Sequence, residues 1–195
     1  MENYDLEFLG EWLPLEKYHF KLLTMITVLA DNDRAFRGKL SDLCRSLAIQ
    51  PSTVNINKIR QSLNCLEEND YIRMIEDNKI YTISLAAAAE KSKKIIKIKK
   101  AWYKLIRETR SEAAWESVLK VFLILWEIPK EEIITYKQIG ERIALSSSTV
   151  ERCVKTICSI DFGDFRYKKT CINQKDNEGN ICGKGQTYEK VLLFE

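Results

Sequence analysis

The chain has little of what enzymes commonly use for chemistry. Its 195 residues contain one histidine, His19, and no glycine-rich phosphate loop, nucleophile elbow or zinc-protease motif. Carboxylates are numerous, but no pair of them stands out as an acid–base pair. A lone histidine is more often structural than catalytic. The sequence therefore predicts a protein that is not an enzyme and that uses no cofactor.

Long apolar runs are missing as well. No stretch approaches the roughly 20 apolar residues that span a bilayer. The first 15 residues carry four acidic side chains and no basic one, which is unlike a secretory or transit leader. We therefore expect a cytoplasmic protein without membrane contact, whose six cysteines are reduced.

A zinc site would have to come from Cys153, Cys158, Cys171 and Cys182. The first two lie five apart on a predicted helix, and the other two flank a predicted hairpin. This spacing differs from the close cysteine pairs that usually mark zinc sites. We expect buried thiols and no metal.

The net charge of +3 is unevenly distributed. Residues 1–85 hold 10 basic and 13 acidic side chains, residues 86–112 hold 9 and 3, and residues 113–195 hold 12 and 12. Neither terminal segment is basic overall, which argues against a strong non-specific nucleic-acid binder.

An internal repeat is the most informative feature of the sequence. Residues 43–54, LCRSLAIQPSTV, match residues 139–150, IGERIALSSSTV, at a constant offset of 96. In the first half of each copy, the apolar residues lie four apart and share one helical face. The polar residues that follow predict the start of a second helix in each copy. In copy one, Pro51 is predicted to lie in the first turn of that helix. Ser41 is a plausible cap of the first helix, and Thr135 with Gln138 predicts a capping box.

Small residues are expected at the turn between the two helices. Ala48 and Ala144 are predicted to lie where the helices approach closely, and Ile49 and Leu145 to point into the core. Each copy follows an amphipathic helix and precedes a hairpin. The first hairpin is predicted to turn at residues 77–78, and the second has a long tip between residues 172 and 187.

This pattern resembles the winged helix-turn-helix of bacterial regulators and of two-winged-helix replication initiators of mobile elements. The resemblance implies a mainly α fold with small β-hairpin wings. Two winged helix-turn-helix domains, residues 1–85 and 113–195, would be joined by a long basic linker helix over residues 86–112. Copy one departs from the pattern because Val54 lies 12 residues before Leu66. Either its second helix is a turn longer, or that helix begins later.

The resemblance also implies sequence-specific contact with double-stranded DNA through the second helix and the wing. The candidate contacts in copy one are Ser52, Thr53, Asn55, Asn57, Lys58, Arg60 and Gln61. Those in copy two are Ser147, Ser148, Thr149, Glu151, Arg152 and Lys155 on the helix and Arg166, Lys168, Lys169, Lys175 and Lys184 on the wing. We expect copy two to make more of the DNA contact, because its helix-turn-helix is the more regular.

The predicted linker helix carries a possible heptad seam at Ile95, Ile98, Trp102 and Leu105. The favoured interpretation is that this stripe packs on one of the domains, since short isolated helices are marginal. The alternative is a homodimer formed through residues 91–110. Its lysines form either a solvated face or a contact to phosphates between two half-sites.

Three functions remain open from the sequence. The first is a transcriptional regulator that reads adjacent half-sites. The second is a replication initiator or replisome organiser of a plasmid, phage or conjugative element. The third is a protein-interaction scaffold that uses the fold without touching DNA.

Overall fold

The computed structural model describes residues 6–31, 34–85, 94–175 and 181–192, with the backbone alone at residues 174–175 and 182–183. The chain divides into two compact units, Met1–Ile98 and Lys99–Glu195. The boundary falls inside the predicted linker. No helix among the described residues is long and apolar enough to cross a membrane.

The first unit combines three α-helices with two small antiparallel sheets. Along the chain it has β1 (Leu6–Leu9), a 3-10 turn (Gly10–Trp12), α1 (Lys17–Leu29), β2 (Ala35–Gly38), α2 (Leu40–Ser46), α3 (Thr53–Glu68), β3 (Ile72–Asp77), β4 (Ile80–Leu85) and β5 (Ile95–Ile98). The strand order is β2-β4-β3 in one sheet and β1-β5 in the other. Helices α1 and α3 pack on the three-stranded sheet, where Phe20, Ile59 and Ile83 are fully buried.

The β3–β4 hairpin turns at Asn78 and Lys79, whose φ angles are 50° and 66°. The prediction of a turn at residues 77–78 is therefore off by one residue. Two consecutive positive φ angles are typical of a type I′ turn, whose twist matches that of the strands it joins.

Both edges of the three-stranded sheet are capped by carboxylates. At the β3 edge, Glu67 of α3 accepts the backbone N–H of Met74 at 2.8 Å. At the β2 edge, Asp31 accepts the backbone N–H of Ala35 at 3.2 Å. One N–H group on each edge strand is thus paired within the unit itself.

The second unit has four helices and one long ribbon among its described residues. These are α4 (Lys100–Glu108), α5 (Trp115–Glu127), α6 (Tyr136–Ile143), α7 (Ser147–Ser159), β6 (Phe165–Lys175) and β7 (Ile181–Leu192). Strands β6 and β7 are antiparallel, with Phe165 opposite Leu192 and a register shift between Gln174 and Lys175. Ile134 forms an isolated bridge to Gln186 and adds a third backbone partner to the ribbon.

Aromatic rings fill much of the core of the second unit. The ring centroid of Trp102, on α4, lies 4.8 Å from that of Trp126 and 5.2 Å from that of Phe165. Phe122 and Phe162 lie 4.9 Å apart in the same cluster. Since large buried rings contribute much apolar area, α4 is tied to α5 and to the start of the ribbon.

The prediction of a mainly α fold is wrong. The described residues form seven helices and seven strands in three small antiparallel sheets, with 49% in helix and 26% in strand, so the fold is mixed α/β. Four-residue strands such as β1, β2 and β5 give no sequence signal as strong as a repeated helical pattern. The second ribbon is also far longer than a small wing.

The single linker helix predicted over residues 86–112 is also wrong. Residues 95–98 form β5, which pairs with β1 so that Leu6 lies opposite Ile98, and the helix that follows covers only Lys100–Glu108. In β5, Ile96 and Ile98 are buried while Ile95 and Lys97 are exposed, which is the two-residue period of a strand.

The proposed heptad seam therefore joins residues of two different elements, and no continuous helical face supports a dimer through residues 91–110. Ile98 is buried in the first unit and Trp102 in the second, whereas Ile95 and Leu105 are exposed. The alanine run at residues 86–89 and Lys91 and Lys93 lie outside the described residues.

Candidate nucleic-acid interface

The second unit contains two helices joined by a short, closely defined turn. Thr135 and Gln138 cap α6 reciprocally, with the Thr135 N–H donating to Gln138 at 2.8 Å and the Gln138 N–H to the Thr135 hydroxyl at 3.2 Å. The capping box predicted from the sequence is confirmed. After α6, Ala144 adopts a left-handed φ of 55°, and Ser146 caps α7 by accepting the Thr149 N–H at 3.3 Å.

Gly140 is where the turn comes closest to α6. A Cβ atom at this position would lie 2.3 Å from the carbonyl oxygen of Leu145, and the Leu145 N–H donates to the Gly140 carbonyl at 2.9 Å. The expectation that Ala48 and Ala144 mark a close approach of helices is wrong. Both are exposed, and a small residue suits them because each has a positive φ.

The turn of the first unit has the same geometry, but two more residues separate it from the cap of its second helix. Ala48 has a φ of 57°, and the Ile49 N–H donates to the Cys44 carbonyl at 2.8 Å. The cap of α3 is Ser52, four residues after Ala48, whereas Ser146 follows Ala144 by two. Pro51 precedes this cap and does not lie in the first helical turn.

The repeat therefore changes its offset from 96 in the turn to 94 in the second helix. Val54 is 75% exposed whereas Val150 is fully buried, so their match in the sequence is wrong. The buried residues that correspond are Ile59 with Cys153 and Leu63 with Ile157. Both alternatives stated for copy one hold, because α3 has 16 residues against 13 in α7 and its cap lies two residues later than the 96-residue offset predicts.

The exposed face of α7 has a basic centre. Ser148, Arg152 and Lys155 are exposed at helical spacing, with Ser147 beside them. Lys155 forms an ion pair with Glu151 at 3.0 Å. Arg152 donates to the Ser148 carbonyl and the Thr149 hydroxyl at 3.4 Å each, and it has no acidic partner in the part of the chain that the structure describes.

The predicted wing contacts are divided between the two faces of the ribbon. We call the face that carries the buried Tyr167 and Tyr188 the inner face. Lys169 lies on it and donates to the Tyr136 hydroxyl at 3.0 Å, which raises the pKa of its ammonium group. Arg166 and Lys168 lie on the outer face, since side chains alternate along a strand.

Acidic neighbours occupy part of the outer face. Arg166 pairs with Asp161 at 2.6 Å, and hydrogen bonding from Arg166 lowers the pKa of that carboxyl. Lys168 lies opposite Glu189, which pairs with Lys130 at 2.6 Å. Lys184 is exposed opposite Asn173 towards the tip. Lys175 lies at the register shift, and only its backbone is described.

Most predicted contacts of the first unit are engaged inside that unit. Ser52 accepts the backbone N–H of Asn55 at 3.3 Å, and the Asn55 amide donates to the Gln50 carbonyl at 2.9 Å. Arg60 donates to Asn57 and to the Tyr81 hydroxyl, each at 3.2 Å.

Lys58 lies 5.1 Å from the ring centroid of Tyr18. Thr53 and Gln61 are exposed without such contacts among the described residues.

Part of the basic run of the predicted linker is engaged within the protein. Lys97 pairs with Glu7 at 2.9 Å, and Lys99 pairs with Asp164 at 2.5 Å. Arg107 donates to the Tyr103 hydroxyl at 3.3 Å.

Three tyrosines that shape the site were missed from the sequence. Tyr18 lies against Lys58, Tyr81 accepts from Arg60, and Tyr136 accepts from Lys169. Ser146, which begins the serine run predicted to open the second helix, caps α7. The tyrosines lie too far along the chain from their cations for a local pattern to pair them.

The cysteines do not form a metal site among the described residues, where no three metal-binding side chains cluster. Burial raises the pKa of the Cys153 thiol to about 12. Cys44 is also buried, and Cys171 is exposed.

The chain matches no model of a known protein family and no curated protein. Its function is therefore inferred from the residues and the geometry described above.

Proposed function

We propose that this chain binds double-stranded DNA and that α7 of the second unit enters the major groove. The observation that carries the proposal is Arg152, which stands at the centre of the exposed face of α7 without an acidic partner among the described residues. A guanidinium in the groove matches the two acceptors of a guanine edge. Ser147 and Ser148, at the start of α7, would contact phosphates beside the free helical N–H groups.

The order of elements supports the same proposal. In each unit a helix precedes two helices joined by a turn, and an antiparallel hairpin follows them. This order resembles that of a winged helix-turn-helix, in which the second helix of the pair is presented to DNA. The exposed Lys184 towards the tip of the ribbon would contact the phosphate backbone beside the groove.

We propose that the second unit makes more of the DNA contact than the first. Its α7 has Arg152 available, whereas the cations of α3 are held by Tyr81 and Tyr18. Within this proposal, a transcriptional regulator that reads two adjacent half-sites remains the favoured role, with a replication initiator as the alternative.

A protein-binding role is a second candidate for the first unit. Val54 on α3 and Ile75 on β3 are 75% and 69% exposed, and Glu76 and Asp77 beside Ile75 are exposed as well. Exposed apolar side chains, and the acidic ones beside Ile75, suit a protein partner better than a phosphate backbone. This candidate predicts that the double change Val54→Ser and Ile75→Ser leaves the DNA affinity of the chain unchanged.

Selection of bound duplexes from random DNA, followed by anisotropy titrations, tests the proposal. We expect Arg152→Ala to weaken binding to the selected duplex by roughly 5- to 100-fold and to relax the preference at one base pair. The matched control is Arg142→Ala, which removes the same charge from α6, where Glu132 holds it at 3.0 Å. Equal losses for both variants would point to net charge alone, and no binding to any duplex at low salt would leave only the protein-binding role.

A further inference from the structure

Strand β3 forms an edge of the three-stranded sheet among the described residues, because β4 pairs with it on one side only. The Met74 N–H donates to Glu67 of α3 and therefore points away from β4. Backbone groups alternate in direction along a strand, so those of Met74 and Glu76 face the edge and those of Ile75 face β4.

The side chains of β3 alternate as well. Ile72 is buried, so Arg73, Ile75 and Asp77 lie on the opposite face, which we call the solvent face of the sheet. All three are exposed, and Ile75 is 69% exposed. Along the strand they run from a positive charge through an apolar side chain to a negative charge. This order is self-complementary, since an antiparallel copy of the strand presents it in reverse.

The direction of the backbone groups restricts how two β3 edges can pair. Outward-pointing residues must face each other, because facing residues in an antiparallel pair exchange both hydrogen bonds or none. Placing Ile75 opposite Ile75 of the second copy meets this condition and sets Met74 against Glu76. On the solvent face it sets Arg73 against Asp77 twice, and opposite charges that face each other stabilise a sheet. A shift by two residues in either direction would set Ile75 against a charge instead.

We propose that the β3 edge is a docking site for the β3 edge of a second copy of this chain. Two pairs of Arg73 with Asp77 flank one contact between the two Ile75 side chains. Ile80, which is 49% exposed and lies opposite Asp77 on β4, adds apolar surface beside that contact. The same chain is the partner because both charges of the edge are matched within the pair. The proposal thus names a partner for the first unit and does not rest on DNA binding by the second.

Glu67 limits how tightly the two edges pair. It occupies the Met74 N–H at 2.8 Å, and in the proposed register this N–H is one of two donors that each copy offers to the other. Glu76 of the second copy also comes opposite Met74 and brings another carboxylate towards Glu67. Pairing therefore displaces the Glu67 side chain. We expect a weak and reversible dimer, which Glu67→Ala strengthens.

A cysteine at the centre of the pair tests the register. Facing residues that exchange no hydrogen bonds have Cα atoms about 4.5 Å apart, which a disulfide can bridge. Under mild oxidation, Ile75→Cys should link two copies of the tryptic peptide of residues 74–79, at a rate that rises with protein concentration. Mass spectrometry separates this product from links made by the exposed Cys171. The matched control is Ile80→Cys, which places a thiol on the same face but one strand away from the edge and should not link to itself.

Charge reversal tests the complementarity. In the Ile75→Cys protein, the further change Arg73→Asp sets like charges against each other and should slow the crosslink by roughly 3- to 30-fold. Adding Asp77→Arg reverses the order of the charges and makes them complementary again, so the rate should recover. Sedimentation should also show a tighter dimer for Glu67→Ala than for the unaltered protein. Glu68→Ala, which removes the same charge from the exposed neighbouring position, is the control.

Several outcomes would overturn the proposal. The unaltered protein needs no variant to fold, and if it sediments as a monomer up to its solubility limit, the edges do not pair. Equal crosslinking of Ile75→Cys and Ile80→Cys would mean that sheets pack face to face. A rate that does not recover when Asp77→Arg is added to Arg73→Asp would exclude this register. None of these measurements involves DNA, so their outcome is separate from that of the DNA-binding proposal.

Discussion

At the scale of single residues, backbone shape limits side-chain size tightly at Gly140 of the second unit. The turn that presents α7 brings the Leu145 carbonyl to within 2.3 Å of where a Cβ atom would stand. The corresponding residue of the first unit is Cys44, whose turn is two residues longer before the helix cap. A glycine in one copy and a larger residue in the other thus follow from the lengths of the two turns.

We predict that Gly140→Ala destabilises the second unit by about 2 to 4 kcal/mol, because either the turn or α6 must move. Thermal or urea unfolding measures the loss. The control is Gly163→Ala, where φ is 85° and no atom lies within 4 Å, so backbone strain alone should cost about 1 to 2 kcal/mol. A smaller loss for Gly140→Ala than for this control would contradict the inferred clash.

Cys153 provides a second prediction at this scale. Burial raises its pKa to about 12, so very little of this thiol is ionised at pH 8 in the folded protein. Iodoacetamide at pH 8 should therefore label the exposed Cys171 and leave Cys153 unmodified until guanidinium unfolds the chain. Because the pKa is raised, labelling of Cys153 should remain low even at pH 9, which mass spectrometry of the digested protein can follow.

At the scale of elements, the turn between the paired helices explains which parts of the site were predictable. The face of α7 that carries Arg152 follows from the helical period once the structure gives the start of α7. Local sequence reasoning gave the capping box of Thr135 and Gln138, which lie three residues apart. It failed for Arg60 and Lys169, because their partners Tyr81 and Tyr136 lie 21 and 33 residues away.

We predict that Ala144→Gly stabilises the second unit by about 0.5 to 1 kcal/mol. Ala144 has a φ of 55°, a conformation that costs less for glycine than for any residue with a Cβ atom. Ala101→Gly, at an exposed position in α4, should instead lower the stability by about 0.5 to 1 kcal/mol. Opposite signs in the two unfolding midpoints are the expected result, and two losses would show that the turn does not determine the preference.

At the scale of the whole molecule, the boundary of the first unit was the part least visible in the sequence. Strand β5 lies about 90 residues after its partner β1, and the lysines around it suggested a solvated helix. Residues 95–98 alternate between exposed and buried, and this alternation identifies a strand only once the pairing of Leu6 with Ile98 is known. A nonlocal contact of this kind leaves no periodic pattern long enough to detect.

The boundary gives a prediction about fragments. A protein ending at Ile98 should unfold cooperatively, because β5 completes the sheet in which Ile96 and Ile98 are 1% and 0% exposed. A protein ending at Leu85, the limit expected from the sequence, should be less stable by roughly 3 to 5 kcal/mol, since those two side chains no longer cover β1. Circular dichroism during urea unfolding compares the two. Equal midpoints would mean that β5 is not part of the first unit.

Glu67 affects how molecules of this protein meet one another. A sheet with a free outer strand offers its N–H groups to a strand of any other chain, which is how edge-to-edge aggregates begin. In the first unit, Glu67 already occupies the Met74 N–H of the β3 edge. One side chain on α3 thus removes one donor of this edge from pairing with the strand of another molecule.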